Sequence, residues 1–324
     1  MWYPLTFHPQ FKERLWGGRR LAGLFGKDLP PGAVIGESWE ICDRPEAVSI
    51  VSAGPLAGTT LRGLMRTHGS EIMGRKVGVE EQFPWLCKLL DARDDLSLQV
   101  HPPAALAPTL GGEAKAELWY VALADPGAAI YAGVQPGVTR AVFADRATQG
   151  ALTGCFHRLP VTAGDVLFLP SGRLHALGAG LVVFEIQQNS DTTYRVFDWN
   201  RVGGDGQRRE LHLEPALESI DFSDSAPALV PREMRREGAC SVRQLVDDPL
   251  FHIEEVWGEG ASRDRRAPGQ PGVIAEVKGH VRITGGERAV VLGPGEFALL
   301  PAALDAAGFE TAGGPATWLS TTPG

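Results

Sequence analysis

The apolar residues of this chain fall in short runs, interrupted before any grows into a long amphipathic helix. Residues 85–91, 95–101, 118–122, 161–169, 181–187 and 194–199 are such runs, punctuated by 40 glycines and 24 prolines. Strands this short and this regularly interrupted predict a sandwich or a barrel. Helical spacing is confined to a few places. Residues 18–25 and 60–67 carry it, the second opened by Thr59 or Thr60 as a cap. A third helix is expected after Gly137, with Thr139 as its cap and Val142 and Phe143 facing inward.

An internal echo bears on the number of units. Gly164-Asp-Val-Leu-Phe-Leu-Pro170 matches Gly295-Glu-Phe-Ala-Leu-Leu-Pro301 in register and chemistry: a turn, a strand and a proline stop. Between the copies, residues 218–237 are polar and irregular, near Pro215, Pro227 and Pro231. This stretch reads as the connection to a second β unit that begins near Ser241. Residues 1–230 then form one unit and 231–324 another. Five residues beyond Pro170 stands His175, whereas five beyond Pro301 stands Ala306. If the copies correspond, the first alone kept a side chain able to bind a metal.

Charge and cysteine usage narrow the function classes. A formal net charge of −8 over 324 residues argues against nucleic-acid binding, which needs a basic face. It leaves room for a small anion, since a few local cations can dominate one pocket. No apolar run approaches a membrane span, and the opening MWYPLTFHPQFKERLW lacks a basic region followed by an apolar block. A cytoplasmic protein is expected. Cysteines 42, 87, 155 and 240 form no Cys-x-x-Cys pair, which suits a reducing compartment.

The chemistry gathers in three pieces. Along an extended Leu96-Ser-Leu-Gln-Val-His-Pro segment, Ser97, Gln99 and His101 share one face while Leu98 and Val100 point into packing. Polar groups on an interior face need partners, and a metal or ligand can supply them. The same period puts Lys115 and Glu117 together at a strand start. Pro170-Ser-Gly-Arg-Leu-His175 is a turn running into a strand that carries a lone imidazole. Two imidazoles, a carboxylate and an amide oxygen make a mixed nitrogen–oxygen set that suits Zn²⁺ and also Fe²⁺, Mn²⁺ or Co²⁺. Taken singly, each residue has a plainer reading. A histidine before proline is commonly a surface group, Glu117 a solvated strand end, and Gln99 an unusual zinc ligand. Lys88 inside an apolar strand is a snorkelling lysine or a charge with a strong partner. Arg195 is free to pair with Asp191 or Asp198. Glu185, after Val182-Val183-Phe184, should titrate above its ordinary range unless it is paired.

The blocks FPWLCKLLDARDDLSLQVHP, KAELWYV, LPSGRLHALGAG and FEIQQNSDTTYRVFDWNR, with LWGGRRL and IGESWEI before them, resemble type I mannose-6-phosphate isomerases, in their short bacterial form. The resemblance runs in order from about Pro4 to Glu214 and more loosely beyond. It implies an all-β fold of two jelly-roll (cupin) barrels, with a few short helices near the N-terminus and after the metal-ligand strands. It implies one divalent ion per chain, zinc, on Gln99, His101, Glu117 and His175. Arg195 becomes an active-site cation, Glu185 an acid that handles protons, and Lys88, Ser97 and Lys115 contacts to the substrate phosphate. Trp16, Glu37 and Trp39 receive no chemistry, and His157, His280 and the C-terminal unit are read as structural.

The implied reaction interconverts mannose 6-phosphate and fructose 6-phosphate through an enediolate. The partners are then a small sugar phosphate and no nucleic acid or membrane, in a monomer or homodimer. An isomerase of another sugar or sugar phosphate, a noncatalytic sugar-phosphate binder and an Fe²⁺ oxygenase on the same barrel are the alternatives.

Overall fold

The computed structural model describes residues 2–202, 206–304 and 306–324. Four of its five sheets form two pairs. A six-stranded antiparallel sheet runs Gln10–Gly18, Ile35–Ile41, Trp85–Ala92, Leu181–Gln188, Glu117–Ala124, Val166–Leu169. It faces a five-stranded sheet, Tyr194–Phe197, Leu98–Val100, His175–Leu177, Ala129–Val134, Phe156–Pro160. The second pair repeats this plan. Its six-stranded sheet is Arg235–Glu237, Cys240–Asp248, Phe251–Gly258, Ala316–Thr322, Gly272–Lys278, Phe297–Leu300, and its four-stranded sheet is Ala261–Arg263, Gly308–Thr311, Val281–Gly285, Arg288–Leu292. In each six-stranded sheet the strands follow one another in the same order, which is the cupin-type jelly roll twice over.

The two six-stranded sheets pack back to back. Trp85, Cys87, Leu89, Val182, Phe184 and Ile186 share one core with Phe251, Ile253, Val273, Ala275 and Phe297 of the second pair. Phe184 is central to it, with ring centroids 5.5 Å from Phe25 and 5.8 Å from Phe297. Each such large side chain stabilises by roughly 1.5–3 kcal/mol when fully buried. The alternate residues of the same strands, Leu90, Val183, Trp119 and Val121, face the interior of the first barrel. A strand covered on both faces reads as an unbroken apolar run, which is why WLCKLLDA and LVVFEIQQ show little alternation.

Helices are few. Thr60 caps Leu61–Met73 by accepting from the Gly63 N–H at 3.1 Å, and Thr139 caps Arg140–Thr148. The second helix outruns the expected 60–67 because Ile72 and Met73 are also buried against the core. After Thr139, Phe143 is buried as expected, but Val142 is 40% exposed: adjacent helical residues diverge by about 100°. Leu213–Ser219 is a fourth helix, just before the irregular connection.

The echo is structural. Thr162 N–H donates to Asp165 Oδ2 and Gly293 N–H to Glu296 Oε2, each at 2.7 Å. Gly164 N–H reaches the Val121 carbonyl and Gly295 N–H the Glu276 carbonyl, each at 2.8 Å. Both glycines have positive φ, 85° and 78°, which the turn requires. Glu276 therefore stands where the first barrel has Val121. It is fully buried, and among the described residues neither of its oxygens has a hydrogen-bond donor. Burial alone pushes its carboxyl up to about 9. A folded-state pKa above the unfolded value means the folded protein holds a proton that the unfolded chain releases. Stability then falls as pH rises from the ordinary carboxylate range to about 9. Replacing Glu276 by Val should raise the melting temperature, by on the order of 1–3 kcal/mol in stability, with a gain that grows between pH 5 and pH 9. A gain independent of pH would show that Glu276 is not held neutral.

Candidate metal centre

Three strands and one turn converge on a single buried point. Glu117 opens the strand Glu117–Ala124, His175 opens His175–Leu177, and His101 follows Leu98–Val100 before its proline. Gln99 lies opposite His175 in the strand register. Leu98 and Val100 point away into a separate core, so Gln99 and His101 share the interior face. Ligand atoms of His101, Glu117 and His175 all lie within 4.8 Å of one another. His175 Nε2 is 3.1 Å and His101 Nε2 is 3.6 Å from the Glu117 carboxylate. The Gln99 amide approaches His175 Nε2 at 3.3 Å.

The tautomers follow from the partners. His101 Nδ1 lies 2.7 Å from the Thr192 carbonyl and His175 Nδ1 2.8 Å from the Arg173 carbonyl. A carbonyl only accepts, so each Nδ1 carries the hydrogen and each Nε2 presents a lone pair. Burial, helped by the Lys115 ammonium and opposed by Glu117, lowers His101 to about 3, so its ring is neutral. Burial alone would raise Glu117, yet Lys115 and then the imidazoles hold it well below the ordinary carboxylate range. Among the described residues no donor is aligned for a hydrogen bond to either Glu117 oxygen, although Lys115 Nζ lies 2.6 Å from Oε2. The Lys115 ammonium stands 2.6 Å from Glu117 Oε2 and 3.4 Å from His101 Nε2, which leaves the His175 lone pair turned on Glu117 Oε1 at 3.1 Å, a contact that repels unless a cation joins them. The residues present fit a divalent ion.

A cavity of about 440 Å³ opens beside this cluster. Lys88, Ser97, Gln99, Lys115, Glu185 and Arg195 all face it. Lys88 and Glu185 are cross-strand partners, as are Glu185 and Trp119. Lys88 Nζ sits 3.4 Å from Glu185 and 3.7 Å from Glu37. Burial would lower it, but Glu185 and Glu37 outweigh burial and raise it, so it is a paired charge and not a snorkelling one. Burial raises Glu185 against the opposing pull of Lys115 and Lys88, and Trp119 Nε1 donates to its Oε1 at 2.9 Å. Arg195 pairs with neither Asp191 nor Asp198: it donates to Ser97 Oγ at 3.3 Å and to the Glu210 carbonyl at 2.8 Å.

Several cavity groups had no chemistry in the sequence. Glu37 faces the cavity, accepting from Trp39 Nε1 at 2.6 Å and from Arg14 Nε at 2.7 Å, and burial notwithstanding it falls to about 2 under Lys88 and Arg14. The alternation of Glu37 and Trp39 along an apolar strand was its available signal. Asp191, 3.9 Å from Lys88, and Arg209 are also in the lining, and neither has a spacing that marks it.

The second barrel fills the corresponding space differently. Leu169 pairs with Glu117, and its counterpart Leu300 pairs with Gly272. A Cβ on Gly272 would meet Arg266 Cδ at 2.5 Å, so the arginine occupies the volume that Glu117 fills in the first barrel. Arg266 Nη2 donates to Asp264 at 2.6 Å and to the Leu304 carbonyl at 2.9 Å. Leu177 pairs with Ile130 and Phe309 with Ile283, which puts Ala307 in the place of His175. Spacing pointed to Ala306; the connection after Pro301 is one residue longer, and Ala306 is exposed while Ala307 is buried.

Known proteins share this sequence pattern and fold. Residues 5–128 match the family model of the phosphomannose isomerase type I catalytic domain. The chain is 35% identical over 299 residues to a mannose-6-phosphate isomerase of Streptococcus mutans, covering 92% of each. It is 40% identical over 255 residues to the probable mannose-6-phosphate isomerase GmuF of Bacillus subtilis, covering 78% of this chain and 79% of that one. The crystal structure of a Bacillus subtilis mannose 6-phosphate isomerase superposes with a TM-score of 0.88 at 29% identity over 99% of both chains. The chain belongs to the type I phosphomannose isomerase family.

Proposed function

We propose that this protein interconverts mannose 6-phosphate and fructose 6-phosphate, moving a proton between C1 and C2 through an enediolate. The observation that carries the reading is the buried His101–Glu117–His175 cluster, set at the cavity that Glu185 and Arg195 also face. Gln99, His101, Glu117 and His175 would hold one divalent ion, zinc. When bound, the ion supplies Lewis acidity beside the substrate oxygens.

Glu185 is the base. Burial raises its affinity for a proton, and the Trp119 indole fixes one of its oxygens, so it can take a proton from one carbon and return it to the next. Arg195, with no carboxylate partner among the described residues, stabilises the negative charge of the enediolate. Lys88, Ser97 and Lys115 line the same cavity and contact the substrate, the lysines standing beside Glu185 and Glu117. Trp16, Leu90 and Leu96 complete the wall and limit water. Residues 1–230 carry all of these groups and 231–324 none. One chain supplies the whole site, so it works in a monomer or a homodimer, and a phosphorylated substrate places the enzyme in the cytoplasm. No described helix is long and apolar enough to cross a membrane.

A coupled assay of mannose 6-phosphate conversion, run before and after verified metal removal, tests the reading. Activity should vanish on removal and return with added Zn²⁺; full activity in metal-free protein would remove the ion from the reaction. Turnover of another sugar phosphate but not this one would move the substrate alone. Arg195→Ala should keep its metal and lose turnover by roughly 100- to 1,000-fold, the effect of deleting one donor to a developing oxyanion. Near-normal turnover would take Arg195 out of the mechanism. Glu185→Gln should lose roughly 100-fold or more, and a smaller loss in a metal-replete sample would assign the proton transfer elsewhere.

A further inference from the structure

The two oxygens of Glu185 are held differently. Its cross-strand neighbour is Trp119, whose Nε1–H donates to Oε1 at 2.9 Å. Both side chains are buried, Trp119 at 1% and Glu185 at 3% exposure, and both line the cavity. The other oxygen, Oε2, has the Lys88 ammonium at 3.4 Å and no aligned hydrogen-bond donor among the described residues. The terminal torsion of a glutamate is broad and nearly two-fold, so an ammonium at that distance does not fix the plane of the carboxylate. The indole does, because strand pairing sets where its N–H stands. An oxygen that already accepts from an N–H is the less basic of the two, which leaves Oε2 to receive a proton.

The same ring reaches the metal cluster. Trp119 stands two residues beyond Glu117 on one strand, so the two share the interior face. Its ring meets His175 edge-on, with centroids 5.4 Å apart and planes at 83°. One side chain therefore touches both the proposed base and a proposed ligand. The second barrel supplies an internal comparison. With Glu276 in the place of Val121, strand pairing puts Ile274 in the place of Trp119 and Ser320 in the place of Glu185, and those two are again partners. The copy that lacks the metal-capable cluster lacks the acid and the indole together. Ile274 is buried in its barrel's core, so filling this position does not require an indole.

We propose that Trp119 is a positioning residue for the isomerisation: its N–H holds Glu185 with Oε2 toward the substrate, and its ring keeps that base in register with His175. In the first half of the reaction the C–H bond breaks, an O–H bond forms at Oε2, and the electron pair passes into the enediolate. In the second half that O–H bond breaks, a C–H bond forms at the adjacent carbon, and the carboxylate is restored. Deleting the indole N–H leaves Lys88, Ser97 and Lys115 in place, so the loss falls on turnover and not on substrate binding. This role rests on the isomerase reading for the reaction.

The test is a double-mutant cycle on the zinc-loaded protein, read by steady-state kinetics on mannose 6-phosphate, with zinc titration of the stripped protein in parallel. Trp119→Phe keeps a ring beside His175 and deletes the donor. Its kcat should fall by roughly 10- to 100-fold, the worth of a hydrogen bond to a charged group. Its KM and zinc affinity should stay within about twofold of wild type. In a Glu185→Gln background the same substitution should cost less than about threefold, because no carboxylate remains to be held. Trp119→Ile copies the residue with which the second barrel folds and also serves should the Phe variant fold poorly. It removes ring and donor together, so kcat should fall at least as far and zinc affinity by about 2- to 10-fold, the worth of an edge-on ring contact. Wild-type kcat in Trp119→Phe, or an equal loss with and without the Glu185 carboxylate, would overturn the positioning role while leaving the isomerase reading standing. Wild-type protein that turns over no sugar phosphate would bring down the isomerase reading, and this role with it.

Discussion

Glu117 has no exposed surface, and its two oxygens face the Nε2 atoms of His101 and His175 with the Lys115 ammonium close by. A carboxylate in that position is held by one ammonium against the imidazoles, and taking such charges out of water costs several kcal/mol per ion. Everything around it is consistent with a cation completing the set. Backbone carbonyls fix both imidazole tautomers, the His101 ring stays neutral, and the Gln99 amide closes on the same point. Around this point the cavity's acids and lysines balance one another.

The second barrel shows what the same plan does without that cation. Gly272 and Ala307 stand in for Glu117 and His175, and the guanidinium of Arg266 moves into the gap, paired with Asp264. That gap is filled by an ion pair carried within the chain. The repeat is preserved in strand order and in the turn hydrogen bonds at Asp165 and Glu296. Its outer six-stranded face survives because the first barrel needs an apolar partner for Phe184, Trp85 and Leu89. The metal-capable cluster lies in the first copy, and Glu276 in the place of Val121 shows that the second tolerates a polar cost in its interior.

The β architecture was legible because Gly and Pro punctuation marks strand ends directly. So were the shared faces of Ser97, Gln99 and His101, since a period of two needs only an extended chain. The repeat was legible from one turn and strand, although counting from Pro301 missed the register by a residue, because loop length is not fixed by strand pairing. Three things lay outside local pattern. The back-to-back packing hides alternation in strands covered on both faces. Glu37, Asp191 and Arg209 reach the cavity from separate parts of the chain and share no spacing with the metal motif. The partner of Arg195 was a matter of tertiary placement: Asp191 went to Lys88 and Asp198 to Arg201 and Arg209. The ordered family-like blocks, more than spacing, joined Gln99 to the other three residues.

The claim on which the account turns is that one buried carboxylate and two imidazoles form a single cation site, in the first barrel alone. Calorimetric titration of chelator-stripped protein with Zn²⁺ measures it, in the wild type and in Glu117→Gln with folding monitored by circular dichroism. The account predicts one tight site per chain in the wild type and its loss in the folded variant. Two tight sites per chain, or unaltered zinc affinity in Glu117→Gln, would contradict it.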